Sequence, residues 1–108
     1  MKNYEDMSDF EVNKWVWRLT KSPKTMYVDS EFMRVFRDAN ERYEFDPCNN
    51  PSDIMPIAIE HKINLEWRDS MKLPPLAKGT GGNESWHSDK KPYRAIAICF
   101  LKMKELEK

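Results

Sequence analysis

Two places in this chain of 108 residues combine side chains that could hold an anion. The first is Asp46-Pro47-Cys48-Asn49-Asn50-Pro51-Ser52-Asp53. Asn50 fits a helix N-cap, Pro51 the first helical position, and Asp53 the favoured charge of a first turn. Backbone N–H groups at such a helix start point outward and favour a negative ligand. Capping needs only one of the two asparagines, which leaves an amide for a ligand, although Asn-Asn-Pro-Ser-Asp is also good turn chemistry by itself. The second place is Lys91-Pro92-Tyr93-Arg94. Arg94 falls in the first turn of an apolar helix, where its charge opposes the helix dipole, so it needs a specific partner. That partner is either an internal carboxylate, such as Asp53 or Asp46, or a phosphate or carboxylate gripped bidentately. Trp86, just upstream, offers a face for stacking a base or covering a core, whereas Trp67 is expected to cover the core. The expected ligand set is Asn49, Asn50, Asp53, Trp86, Tyr93 and Arg94. It depends on the starts of two helices meeting in one pocket.

Other chemistries find little support. The candidate metal ligands His61, His87, Cys48 and Cys99 form no close pair such as CxxC or HxxxH, so no metal and no cofactor is expected. A nucleophile needs a base within hydrogen-bond reach, and no spacing argues for Cys48 with His87. Lys78-Gly79-Thr80-Gly81-Gly82 resembles a phosphate cradle but lacks the Gly-Lys-Ser/Thr ending, and reads as a flexible loop. The chain is therefore expected not to be an enzyme, with no catalytic residue.

The elements that would position these groups follow from pattern. Ser8-Asp9-Phe10-Glu11 fits a capping box opening a first helix. Val12, Trp15, Val16 and Leu19 form one face of it, Phe10 and Trp17 a second, and Lys21-Ser22-Pro23 ends it. Between 25 and 46, Met26, Val28, Phe32, Val35, Phe36, Tyr43 and Phe45 suit strands, with Asp38-Ala39-Asn40 as a hairpin turn. A helix over 30–42 is the competitor. The second helix starts at Asn50-Pro51 and buries Ile54, Ile57 and Ala58, with Pro56 early enough to be tolerated. Ile63 to Trp67 alternates like a strand. Residues 69–90 lack pattern and read as a long irregular loop. A last helix from about Pro92 to Leu106 is apolar nearly all round its middle, which marks the central element of the core or a contact with another chain. The fold expected is a single α+β domain over 1–108, with about three helices on a small, mostly antiparallel sheet and the C-terminal helix central.

Composition sets outer limits. Apolar residues are 40% and charged residues 33%, the balance of a soluble globular domain. Eighteen basic residues cancel eighteen acidic ones, so binding nucleic acid mainly by counterion release is not expected. Asp89-Lys90-Lys91 and Lys102-Met103-Lys104-Glu105 read as solvated faces. The two cysteines are expected reduced and buried. The longest apolar run, Ala95 to Leu101, is far short of a membrane span, and the N-terminus lacks a signal-peptide stretch. A cytoplasmic protein is expected, and the two-sided helices suggest a homodimer or higher homo-oligomer.

Three stretches together resemble the NinX-like family of phage accessory proteins. They are Ser8 to Lys14, Asp46 to Ile57 with its asparagines and prolines, and Lys91 to Leu101, similar to the family's closing Pro-x-Arg-Ala-Ala helix. The chain departs from that pattern at Ile96, where the family often has a second small residue. Its stretch 69–90 aligns with the family only through Trp86. The resemblance implies a phage origin and an accessory role rather than a reaction. Three functions are then open. One is a non-enzymatic module that binds a small anionic ligand, sequestering a nucleotide-type immune signal to counter host defence. Another is a protein-interaction module that inhibits or adapts a host protein through exposed Trp and Met side chains. The third is a recombination or replication accessory, against which the neutral charge counts.

Overall fold

The computed structural model describes residues 4–20, 27–29, 31, 34–36, 44–68, 72–79 and 86–106. A 3-10 turn, Tyr4–Asp6, leads into α1, Asp9–Thr20. The Ser8 hydroxyl accepts from the Glu11 backbone N–H at 3.2 Å, as the capping box requires, while the Glu11 carboxylate pairs with Lys14. The buried side of α1 carries Phe10, Val12, Asn13, Val16 and Trp17. Trp17 meets Phe45 edge to face at 5.0 Å between ring centroids. Leu19, expected on the core stripe, is 37% exposed. The inward face is turned toward Phe10, Asn13 and Trp17, and Leu19 rotates out with the far side.

Strands β1, Tyr27–Asp29, and β2, Arg34–Phe36, pair antiparallel with Val28 opposite Val35. The chain reverses once between Asp29 and Arg34, a turn that sequence pattern does not mark, and the turn expected at Asp38-Ala39-Asn40 lies outside the described residues. Phe36 bridges Glu44 antiparallel. A helix over 30–42 is incompatible with the β2 strand, where Val35 and Phe36 are buried.

Helix α2, Pro51–Glu60, is fixed at both ends. The Asn50 side chain accepts from the Ser52 N–H as N-cap, with Pro51 at the first position. At the other end Ile63 N–H reaches the Ala58 carbonyl at 2.9 Å and Lys62 N–H the Ile59 carbonyl at 3.4 Å. This pair of bonds is a Schellman closure, and it puts Lys62 in the left-handed region at φ 55°. Pro56 lies beyond the first turn, so it removes one helical bond from the Ser52 carbonyl. Its place on the exposed side lets water take that carbonyl.

Strands β3, Asn64–Glu66, β4, Leu76–Lys78, and β5, Trp86–Ser88, form an antiparallel sheet in the order β3-β4-β5. Two of its strands lie within 69–90, which sequence pattern reads as irregular. Their core-facing residues are Ala77 and His87, both buried, so the large apolar alternation that announces a strand is missing. Trp67 is 63% exposed and does not cover the core as expected.

Helix α3, Pro92–Leu106, is the centre. Every residue from Ala95 to Leu101 is buried, because α1 and α2 and the sheet all pack against it. The apolar middle of α3 and the second face of α1, Phe10 and Trp17, are thus covered within the chain. Cys48 and Cys99 are both buried. Among the described residues no helix is long and apolar enough to cross a membrane.

Lys62 bears the cost of a left-handed backbone that glycine escapes. Lys62→Gly is expected to raise unfolding stability by about 0.5–1 kcal/mol, read as a higher urea midpoint at unchanged slope. An unchanged or lower midpoint would remove the strain assigned to this closure.

Candidate functional site

The starts of α1 and α3 and the turn before α2 converge on one carboxylate, Asp9. Arg94, in the first turn of α3, donates from Nη1 to Asp9 Oδ1 at 2.6 Å and from Nε to Asp89 Oδ2 at 3.0 Å. Its Nη2 donates to the backbone carbonyls of Tyr4, at 3.2 Å, and Met7. Four of the five guanidinium N–H groups are therefore directed at protein acceptors. Lys91 Nζ and Asn49 Nδ2 donate to the second Asp9 oxygen. Asp89 also accepts from the Lys91 backbone N–H through Oδ1 at 2.9 Å, which holds the chain as it enters α3.

Asn49 joins this cluster to the next. Its amide nitrogen lies 3.1 Å from both Asp46 oxygens as well as from Asp9. Asp46 Oδ1 accepts from Asn13 Nδ2 at 2.9 Å, and Asn13 Oδ1 accepts from the Cys48 N–H at 3.3 Å. The Asp46 N–H in turn donates to Asp53 Oδ2 at 2.9 Å. Asn13, buried in an otherwise apolar helix face, is thus the bolt between α1 and the turn before α2.

Electrostatics follow from this geometry. Partial burial pushes the Asp9 carboxyl up, but hydrogen bonds from Lys91, Asn49 and Arg94 outweigh it and hold the group below its ordinary value. Burial pulls Arg94 down, and the hydrogen bond and charge of Asp9 more than restore it. Burial, with Asp9 nearby, pushes the Cys48 thiol up, and burial pushes Cys99 up to about 11. Neither thiol is thereby primed as a nucleophile.

The set named from sequence is only partly brought together. Arg94 and Asn49 meet through Asp9. Asn50 serves as N-cap and Asp53 as an acceptor for the preceding turn. Tyr93 is half-buried against the core. Trp86 lies at the far end of the sheet and is absent from the open cleft of about 700 Å3 that Ser8, Asp9, Ser88, Lys90, Lys91 and Arg94 help to line. Arg94 has the internal partner that its position demands, but the carboxylates are Asp9 and Asp89 rather than Asp53 or Asp46. Asp89 and Lys91 are members of this network, not a purely solvated run, and Glu105 accepts from the Tyr4 hydroxyl at 2.7 Å. Asp9, Asn13 and Asp89 were not singled out from sequence. A signal existed for Asp89, an acid five residues before an arginine in a first turn. Among the described residues no group of acidic, histidine and cysteine side chains could hold a metal ion.

Fold and site define a small α+β domain whose main charge cluster knits three helix starts together. Residues 3–104 match the family model described as Bacteriophage P22, NinX, so the chain belongs to this NinX family of phage proteins. No curated protein and no solved structure matches it significantly.

Removing the guanidinium leaves Asp9 and Asp89 facing each other's charge with two carbonyls unserved. Arg94→Ala is expected to cost roughly 2–3 kcal/mol, less than a fully buried pair because Asp9 remains 31% exposed. The depressed Asp9 carboxyl adds stability that is complete above its ordinary value of 3.8 and is lost as pH falls through the lower folded value. Urea midpoints measured between neutral pH and pH 3 should therefore fall less steeply for Asp9→Asn than for the native chain. Parallel profiles would refute the role given to Asp9.

Proposed function

We propose that this phage accessory protein works by binding another protein, inhibiting or adapting a host component, and that the outward face of α2 is its contact surface. The observation that carries this is the composition of that face. The exposed residues of α2 are Pro51, Ser52, Met55, Pro56, Ile59 and Glu60. On an ordinary surface helix that side is polar, yet here four of the six are apolar, and Ile59 is 73% exposed. Met55 and Ile59 stand one helical turn apart on one ridge. Apolar anchors at that spacing suit a helix laid into a hydrophobic groove. Both ends of α2 are already closed by the Asn50 cap and the Lys62 turn, so little ordering is needed on contact.

The rival reading is sequestration of a nucleotide-type immune signal at the start of α3. It needs a guanidinium free to grip a phosphate, whereas Arg94 is turned inward onto Asp9, Asp89 and two carbonyls. Lys90 and Lys91 leave that cleft some positive charge, but Asp9 and Asp89 line it too.

Tagged protein recovered from host cells and weighed by native mass spectrometry separates the two. One stoichiometric protein partner is expected, retained by the native chain and lost from Ile59→Glu. That exposed substitution should change stability by no more than about 0.5 kcal/mol. A partner still held by Ile59→Glu would dismiss α2 as the contact. A nucleotide mass retained without a protein partner, and retained equally by Trp86→Ala, which lies outside that cleft, would restore the rival.

A further inference from the structure

The combination of cation, amide and indole expected around Arg94 occurs elsewhere, on the outward face of the β3-β4-β5 sheet. Asn64 pairs directly with Lys78, and Lys78 with Trp86, so the three form one row across the strands. The adjoining row, Leu65, Ala77 and His87, supplies the core side, where Ala77 and His87 are buried. By alternation the Asn64–Lys78–Trp86 row faces away from the core, and all three residues are exposed.

Directly opposed side chains in an antiparallel pair stand about 5 Å apart at Cβ, which puts the Lys78 ammonium within reach of the Trp86 indole. From α3, Lys102 Nζ donates to the Trp86 backbone carbonyl at 3.3 Å and stands 5.4 Å from the indole centroid. Trp86 still remains 48% exposed. The described residues of this face include one carboxylate, Glu66, at the corner diagonal to Trp86, in the row of Leu76 and Ser88.

We propose that this face binds a nucleobase that carries a phosphate. The base stacks on the open side of the Trp86 indole, a contact available to any base through its π face. The phosphate is met by Lys78 and Lys102, and Asn64, about two strand spacings or roughly 10 Å from the indole, offers hydrogen bonds to sugar or phosphate. A plain acidic group would use the ammoniums and leave the indole idle. A plain apolar group would cover the indole and bury two charges beside it. Only a ligand both planar and anionic uses every group in the set. The site shares no residue with α2, so it stands or falls apart from the protein contact proposed above.

The intact chain is to be titrated calorimetrically with AMP, adenosine, ribose 5-phosphate and a short oligoadenylate. AMP is expected to bind, with adenosine and ribose 5-phosphate each weaker by roughly tenfold or more. Trp86→Ala and Lys78→Glu should each weaken AMP by a similar factor, while Trp86→Phe keeps most of the affinity. Oligoadenylate binding tighter than AMP would assign the base to single-stranded nucleic acid, and AMP binding as tightly or more so would assign it to a free nucleotide. Saturation by neither AMP nor oligoadenylate overturns the proposal. So does undiminished AMP binding by Trp86→Ala whose circular dichroism and melting temperature match the native chain, or ribose 5-phosphate binding as well as AMP.

Discussion

Three segments far apart in the chain end at the carboxylate of Asp9. Arg94 and Lys91 come from the start of α3, Asn49 from the turn before α2, and Asp9 itself opens α1. A charge in a partly buried place is costly unless its hydrogen bonds are made, and a network in which each member is satisfied becomes rigid instead. Asp9 is the member that makes the others compatible. Without it, Arg94 would oppose the dipole of α3 with Asp89 alone in answer, and Asn49 would bridge only to Asp46. The guanidinium also holds the Tyr4 and Met7 carbonyls, so the approach to α1 is tied to the same point.

That constraint explains what α3 can be. A helix buried along its whole middle has no polar face with which to choose its orientation, since apolar packing is adaptable. Its ends must supply the register. At the N-terminal end Arg94 engages the α1 entry and Asp89, and toward the other end Glu105 takes the Tyr4 hydroxyl. The same short segment before α1 therefore touches both ends of the pillar. Around it the sheet contributes small or polar inward residues, Ala77 and His87, which let β4 and β5 approach closely. Gly79 continues that close approach, because a Cβ there would sit 2.4 Å from the Met103 sulfur.

The features legible in the sequence are those whose physics is local. The Ser8 and Asn50 caps, Pro51, the inward residues of α2 and the bounds of α3 rest on neighbours within a turn or two. Strands β4 and β5 were illegible because three-residue strands facing the core with alanine and histidine carry no apolar alternation. The anomaly of Arg94 was readable from its position, but not its principal partner, which lies 85 residues away. Asn49 and Arg94, both expected in one ligand pocket, both donate to Asp9, a carboxylate of a third element. Trp67, expected to cover the core, is exposed, because burial of an indole beside turns is decided by the pairing of β3, β4 and β5.

Committing its strongest cation to the interior leaves this domain with two surfaces of different chemistry. The outward side of α2 is mostly apolar, on a helix closed at one end by the Asn50 side chain and at the other by backbone bonds. The outward side of the sheet is cationic and aromatic, and Lys102 ties its Trp86 end to α3. Both stand on the same pillar, α2 through the contacts of Ile54, Ile57 and Ala58 and the sheet through Ala77 and His87. Their exposed side chains take no part in that packing, so they can change without disturbing α3, whereas Arg94, Asp9 and Asn13 cannot. The charge cluster is therefore best understood as what frees the periphery: it fixes three helix starts with polar contacts that occupy little surface, and leaves the faces of α2 and the sheet open to the contacts proposed for them.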